Sequence, residues 1–173
     1  VFAASASVDL FEIPPAAAAT AERSLLDAKA VAALLAAAKP TRVHHLNARF
    51  GVVTAIEAVS RRAFIRDYDV DVASASTAAD PQVDVLVTGF RGVLRVEPTF
   101  DSRFAVAVHA SHSHETGPAR QHPVHLTDDG AIEMPTVGWS CAGASGTVSD
   151  GGGVLFGNDQ LEHGLWLIRV SSA

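Results

Sequence analysis

From Arg42 onward the apolar residues recur at every second position, and this change of period constrains the fold more than any other feature. The segments "RVHHL", "FGVVTAIEAV", "RAFIRDYDVDV", "VDVLVTGFRGVLRVEPTF", "RFAVAVHA", "GTVSDGGGVLFG" and "HGLWLIRVSS" all alternate and are rich in Val, Ile, Phe and Thr. Successive side chains of a strand point to opposite faces, so each segment predicts a strand with one buried face. Gly, Pro, Asp and Ser stand between them, where turns are needed. Ahead of this region, "SLLDAKAVAALLAAAKP" places Leu25, Ala28, Val31, Ala32 and Leu35 at helical spacing. Ser24 suits the N-cap with Asp27 three residues on, and Lys39-Pro40 closes the element. The prediction is a helix over 24–38. The expected fold is therefore α+β and predominantly antiparallel β, with one N-terminal helix and then about seven strands. Residues 1–23 are Ala-rich and carry Pro14-Pro15, so they read as an N-terminal extension in which "VDLFEI" is a short strand candidate. Residues 24–173 read as the β-rich domain.

Composition narrows the function classes. With 173 residues, 48% hydrophobic and 18% charged, the chain can bury a sizeable core. A net charge of −6 argues against a nucleic-acid partner, which needs a basic face. No run approaches the roughly 18 apolar residues of a membrane-crossing helix. The lone Cys141 excludes an internal disulfide.

Three stretches carry candidate chemistry. In "GTVSDGGGVLFG" the glycines are followed by Val154, Leu155 and Phe156. A phosphate loop needs Lys and then Ser or Thr at the head of a helix, which this run does not supply. Asp150, Gly151, Gly152 and Gly153 instead fit a tight turn between two paired strands. The stretch "HASHSHETGPARQHPVH" holds His109, His112, His114, His122 and His125. On one strand His112 and His114 share a face, so zinc or copper at His109, His112 and His114 is the candidate metal site. Glu115 follows His114 directly and points the other way, which breaks a cupin-type ligand spacing. The competing reading is a solvated polar hairpin tip that needs no cofactor. Ser140 in "GWSCAG" lacks the glycine spacing of a nucleophile elbow, and a strand rather than a helix follows it. Asp67, Asp69 and Asp71 alternate along one strand face and read as a solvated row, with a weak cation site as the less favoured alternative.

Taken in order, these motifs resemble the C-terminal β core of the bacterial secretin family, the multimeric outer-membrane channels of secretion and pilus systems. The resemblance runs from about Ser24 to Val170. The helix segment precedes "TRVHHLNARF" as the family's helix precedes its first core strand. "TAIEAVSRRAFIRDYDVDVA" is similar to the paired strands that follow. "GFRGVLRVEPTFDSRFAVAVHAS" matches the family's Gly, hydrophobic alternation, Val-x-Pro and Asp turn, with Gly92, Val96 and Pro98 as the matching residues. "GTVSDGGGVLFG" takes the place of the Pro-Asp-Gly-Gly turn with Gly157 after it, and Ser149 stands where the family has Pro. Only Asn158 to His163 separate "VLFG" from the closing strand, where family members carry a longer amphipathic stretch.

The resemblance implies a non-catalytic structural subunit. Its strands would be shared with neighbouring copies in a ring, pore or larger complex of the bacterial cell envelope, periplasmic or outer-membrane associated. A homo-oligomer is the expected partner, and direct membrane insertion is not expected, because the segment from His109 to Glu133 is too polar for lipid. The alternative is a soluble β-rich metal-binding protein or cupin-like enzyme using the His109–His125 cluster.

Overall fold

The computed structural model describes residues 4–14, 25–40, 42–73, 76–124, 130–157 and 165–173. Eleven strands and one helix appear among them: β1 (Ser5–Glu12), β2 (Leu25–Leu26), α1 (Ala28–Ala38), β3 (Arg42–Arg49), β4 (Thr54–Ala73), β5 (Ser76–Pro98), β6 (Phe104–Glu115), β7 (Arg120–Pro123), β8 (Ala131–Met134), β9 (Val137–Val148), β10 (Gly153–Gly157) and β11 (Leu165–Ser172). The predominantly antiparallel β class with one helix is as expected, and the strand count is eleven rather than about seven. The strands sort into a five-stranded sheet ordered β2-β10-β11-β1-β3, a four-stranded sheet ordered β4-β5-β6-β9, and the hairpin β7-β8.

The helix is shorter than predicted. Asp27, not Ser24, is the N-cap, and its Oδ1 accepts from the Ala30 N–H at 2.7 Å. Leu25 and Leu26 are drawn off into β2, where they pair with Val154 and Gly153. At the other end Lys39 takes the left-handed conformation, φ 45°, and its N–H bonds the Leu35 carbonyl, which closes the last turn.

By contacts the chain forms two compact units. The first comprises Val1–Ala58, Phe90–His112 and Ser140–Ala173; the second comprises Val59–Gly89 and Ser113–Trp139. Strands β4, β5, β6 and β9 contribute residues to both.

The first unit is layered. Ala6, Val8 and Leu10 of β1, Val154 and Phe156 of β10, and Trp166, Ile168 and Val170 of β11 point to one side of the five-stranded sheet. They meet Ile56, Phe90, Leu94, Val96, Phe104, Val106, Val108 and Ala110 of the four-stranded sheet. The two-residue period read in the sequence is what lets each strand give one face to this core. Phe90 sits at its centre, 4.7 Å from the Trp166 ring and edge-on to Phe156 at 6.3 Å. The opposite face of the five-stranded sheet presents Phe11, Ile13, Leu155, Leu165 and Leu167 to Val31 of α1. The stretch set apart in the sequence as an extension thus supplies β1, which lies between β11 and β3 with both neighbours antiparallel.

The second unit is held differently. Among the described residues none of its side chains is buried, whereas Val83, Val85, Met134, Val137 and Trp139 are exposed. Arg62 donates to Glu115 at 2.7 Å and to Glu133 at 2.6 Å, tying β4 and β6 to the β7-β8 hairpin. The two carboxylates hold the Arg62 guanidinium above its ordinary pKa, the Glu115 bond contributing most. Backbone bonds from Thr116 N–H to Thr136 O (3.0 Å) and Val124 N–H to Gly130 O (2.8 Å) complete the hairpin's attachment.

Candidate functional site

The glycine turn shows why three glycines stand together. Gly151 has φ +74°, a left-handed conformation that disfavours side chains. A Cβ on Gly152 would lie 2.8 Å from the Leu26 carbonyl oxygen, and one on Gly153 would lie 2.6 Å from that of Ile168. The turn is closed by Gly152 N–H to Ser149 O at 2.9 Å. Asp150 anchors it, accepting from the Ser172 N–H and hydroxyl, both at 2.7 Å. These bonds, the backbone one first, hold the Asp150 carboxyl below its usual pKa. The expected tight turn is present, but β9 and β10 lie in different sheets, so the turn passes the chain between sheets rather than joining two paired strands. The glycines are required by close approach of backbone to backbone.

The other residues on which the resemblance rests have structural places as well. Gly92, Val96 and Pro98 lie on β5, with Val96 in the core. A Cβ on Gly92 would meet Ala110 at 2.9 Å, and Gly157 ends β10 with φ +128°.

The histidines do not converge. On β6, His109 is exposed on one face while His112 is buried on the other, its ring 5.3 Å from that of Trp166. Strand alternation makes His109 and His112 diverge. His114 has the parity of His112 and belongs to the second unit. Among the described residues no three His, Cys, Asp or Glu side chains are grouped as metal ligands would be. His125 lies outside the described residues. Ser140 and Cys141 sit in the middle of β9, with Cys141 exposed. One open depression of about 380 Å³ lies over Val93, Ala107, His109, Gly143 and Ser145.

One cluster was missed in the sequence. Asp9 is only 3% exposed on β1, and its register neighbours are Arg169 on β11 and His45 on β3. Arg169 donates to Oδ2, His45 Nδ1 lies 2.8 Å from Oδ1, and Arg42 donates to Oδ1 at 3.2 Å. Burial works to raise the Asp9 pKa, and the Arg169 and His45 bonds outweigh it, so the carboxyl is lowered. Arg169 also lies over the Phe11 ring at 5.6 Å. The available signal was Asp9 between Val8 and Leu10 in the run "SVDLFEI" and a single Arg inside "LWLIRV".

The sheet edges distinguish themselves most. Of the edge strands of the two larger sheets, β2 has two residues and β3 carries Arg42, His44, His45 and Arg49. Strand β4 carries Glu57, Arg61, Arg62, Arg66, Asp67, Asp69 and Asp71. Short length and charge are how proteins keep an edge from pairing with another chain. Strand β9, "VGWSCAGASGTV", has twelve residues without a charge or a proline. Val137, Trp139, Cys141, Gly143 and Ser145 alternate as its exposed positions, Trp139 at 69%.

The fold and these edges define a two-unit, mostly antiparallel β protein in which, among the described residues, β9 is an edge strand without charge or proline. No known protein family, curated protein or solved structure matches the chain.

Proposed function

We propose that the chain is a non-catalytic structural subunit, resembling the secretin channel core, that joins copies of itself through shared β-sheet into a ring, pore or larger cell-envelope complex. The observation that carries this reading is β9, a long edge strand with no guarding residue. Its natural complement is β4 of the next copy. In a four-stranded antiparallel sheet the two edges run in opposite directions, so edge-to-edge addition by rotation continues the alternation and keeps the same face outward. The exposed positions of β5 and β6 mix charged, apolar and small residues, among them Arg91, Val93, Arg95, Ala107 and His109. The test is to charge the edge. Cys141→Lys with Ser145→Lys is expected to convert the oligomer to monomer in light scattering, with the circular dichroism spectrum retained. An oligomer unchanged by both lysines contradicts the reading.

A further inference from the structure

Negative charge is concentrated in the second unit, and the geometry points to a second contact between copies: the face of the five-stranded sheet that carries Arg169, Arg42 and Arg49 docks the acidic row of β4 from a second copy. This inference rests on the assembly reading above and names the side chains that set its register.

The docking face continues the α1-covered side of the sheet beyond the helix. Its rows follow from register: Arg169, Asp9 and His45, then Ser171, Ser7 and Asn47, then Ser5 and Arg49. Asp9 is the buried carboxylate beneath Arg169, Arg42 and His45, so two guanidiniums face one carboxylate. Each guanidinium carries five N–H donors, and Arg42 and Arg169 each place one on Asp9, which leaves donors for a partner. Arg49, at the far end of β3, is exposed.

The occupant follows from charge complementarity. The second unit has four Lys or Arg against nine Asp or Glu, a net of −5, whereas the first has nine against ten, a net of −1. A chain of net −6 repels its own copies unless opposite charges are brought face to face. Asp67, Asp69 and Asp71 are exposed and alternate along β4, so they share a face. At about 3.3 Å per residue they span roughly 13 Å. His45 and Arg49 on β3 are also four residues apart and span the same length, with Asn47 between them as Asp69 lies between Asp67 and Asp71. An acidic strand laid along β3 would set its carboxylates against the His45 imidazole and the Arg49 guanidinium in step.

The experiment compares self-association of the wild type with the Asp67→Lys, Asp69→Lys, Asp71→Lys triple variant by sedimentation, at low and at high salt. Charge reversal is expected to weaken association at least about tenfold at low salt and much less at high salt, where screening acts on both. The sign is informative, because the triple variant has a net charge near zero and general self-repulsion alone would make it associate more tightly. Adding Arg49→Glu to the triple variant is expected to recover part of the loss. The Asp→Asn triple, which keeps side-chain size, is expected to weaken association in the same direction by less. A triple variant that associates as tightly as wild type, or an Arg49→Glu addition that recovers nothing, overturns this inference while leaving the β9 contact standing. A wild-type chain that stays monomeric at every salt concentration overturns both.

Discussion

Both units draw on the same four long strands, β4, β5, β6 and β9, yet they are stabilised by different physics. In the first, strand alternation delivers Phe90, Leu94, Val96, Val106 and Val108 to a core shared with the five-stranded sheet. In the second, the same strands run on as β4, β5, β6 and β9 with no buried side chain among the described residues, and salt bridges from Arg62 and Arg66 replace a core. Three or more strands need a hydrophobic face or a packed neighbour for independent stability. The difference teaches that one set of strands can bury its alternating face in one unit and leave Val83, Val85 and Trp139 exposed in the other, the surface that the proposed assembly would cover.

Substitutions should break this symmetry of sequence in a fixed order of size. Phe90→Ala removes the central ring of the first core and is expected to destabilise the fold by about 3–5 kcal/mol in denaturant unfolding. Val85→Ala, on the same strand but exposed in the second unit, should change stability by less than about 0.5 kcal/mol. Equal effects at the two sites would erase the contrast. Next in size, Gly153→Ala forces a Cβ against the Ile168 carbonyl and is expected to cost about 1–3 kcal/mol.

Acid sensitivity should also belong to the first unit. Asp9 and Asp150 both have folded pKa values below the ordinary 3.8. A depressed carboxyl contributes stability that is fully present above its unfolded value and is lost as pH falls through the folded one. Stability should therefore be level above about pH 5 and decline below it, and Asp9→Asn should flatten that acid limb while lowering the plateau. A pH profile identical to wild type would remove Asp9 from the account. The smallest effect concerns the second unit alone. Arg62→Gln is expected to speed amide exchange in β8 several-fold while shifting global stability by less than about 1 kcal/mol.

How far the fold could be read from the sequence depended on whether a segment's own pattern decided its fate. The helix end at Lys39-Pro40 and the alternation of "RFAVAVHA" are local, and both elements appear. Leu25 and Leu26 have helical spacing, but pairing with Gly153 and Val154 takes them into a strand, an outcome set by residues far along the chain. The strand "VDLFEI" gave no sign of lying between β11 and β3, because its partners are the end of the chain and the strand after the helix. The glycine turn was legible as a turn, since left-handed φ and close packing are written in glycine itself. Which sheets it connects was not, because that depends on the register of both. In the His segment, proximity in sequence did not show that His109 and His112 take opposite faces once the segment is a strand. The unguarded β9 was present in the sequence as "VGWSCAGASGTV", and only the sheet order shows that it is an edge.

The most direct measurement is the mass of the purified wild-type chain in solution, by light scattering across a range of concentrations, with particles imaged by electron microscopy. A closed ring or a larger regular multimer of the 18.0 kDa chain is the predicted result. A stable monomer at high concentration, with no rings or filaments on the grid, would contradict it.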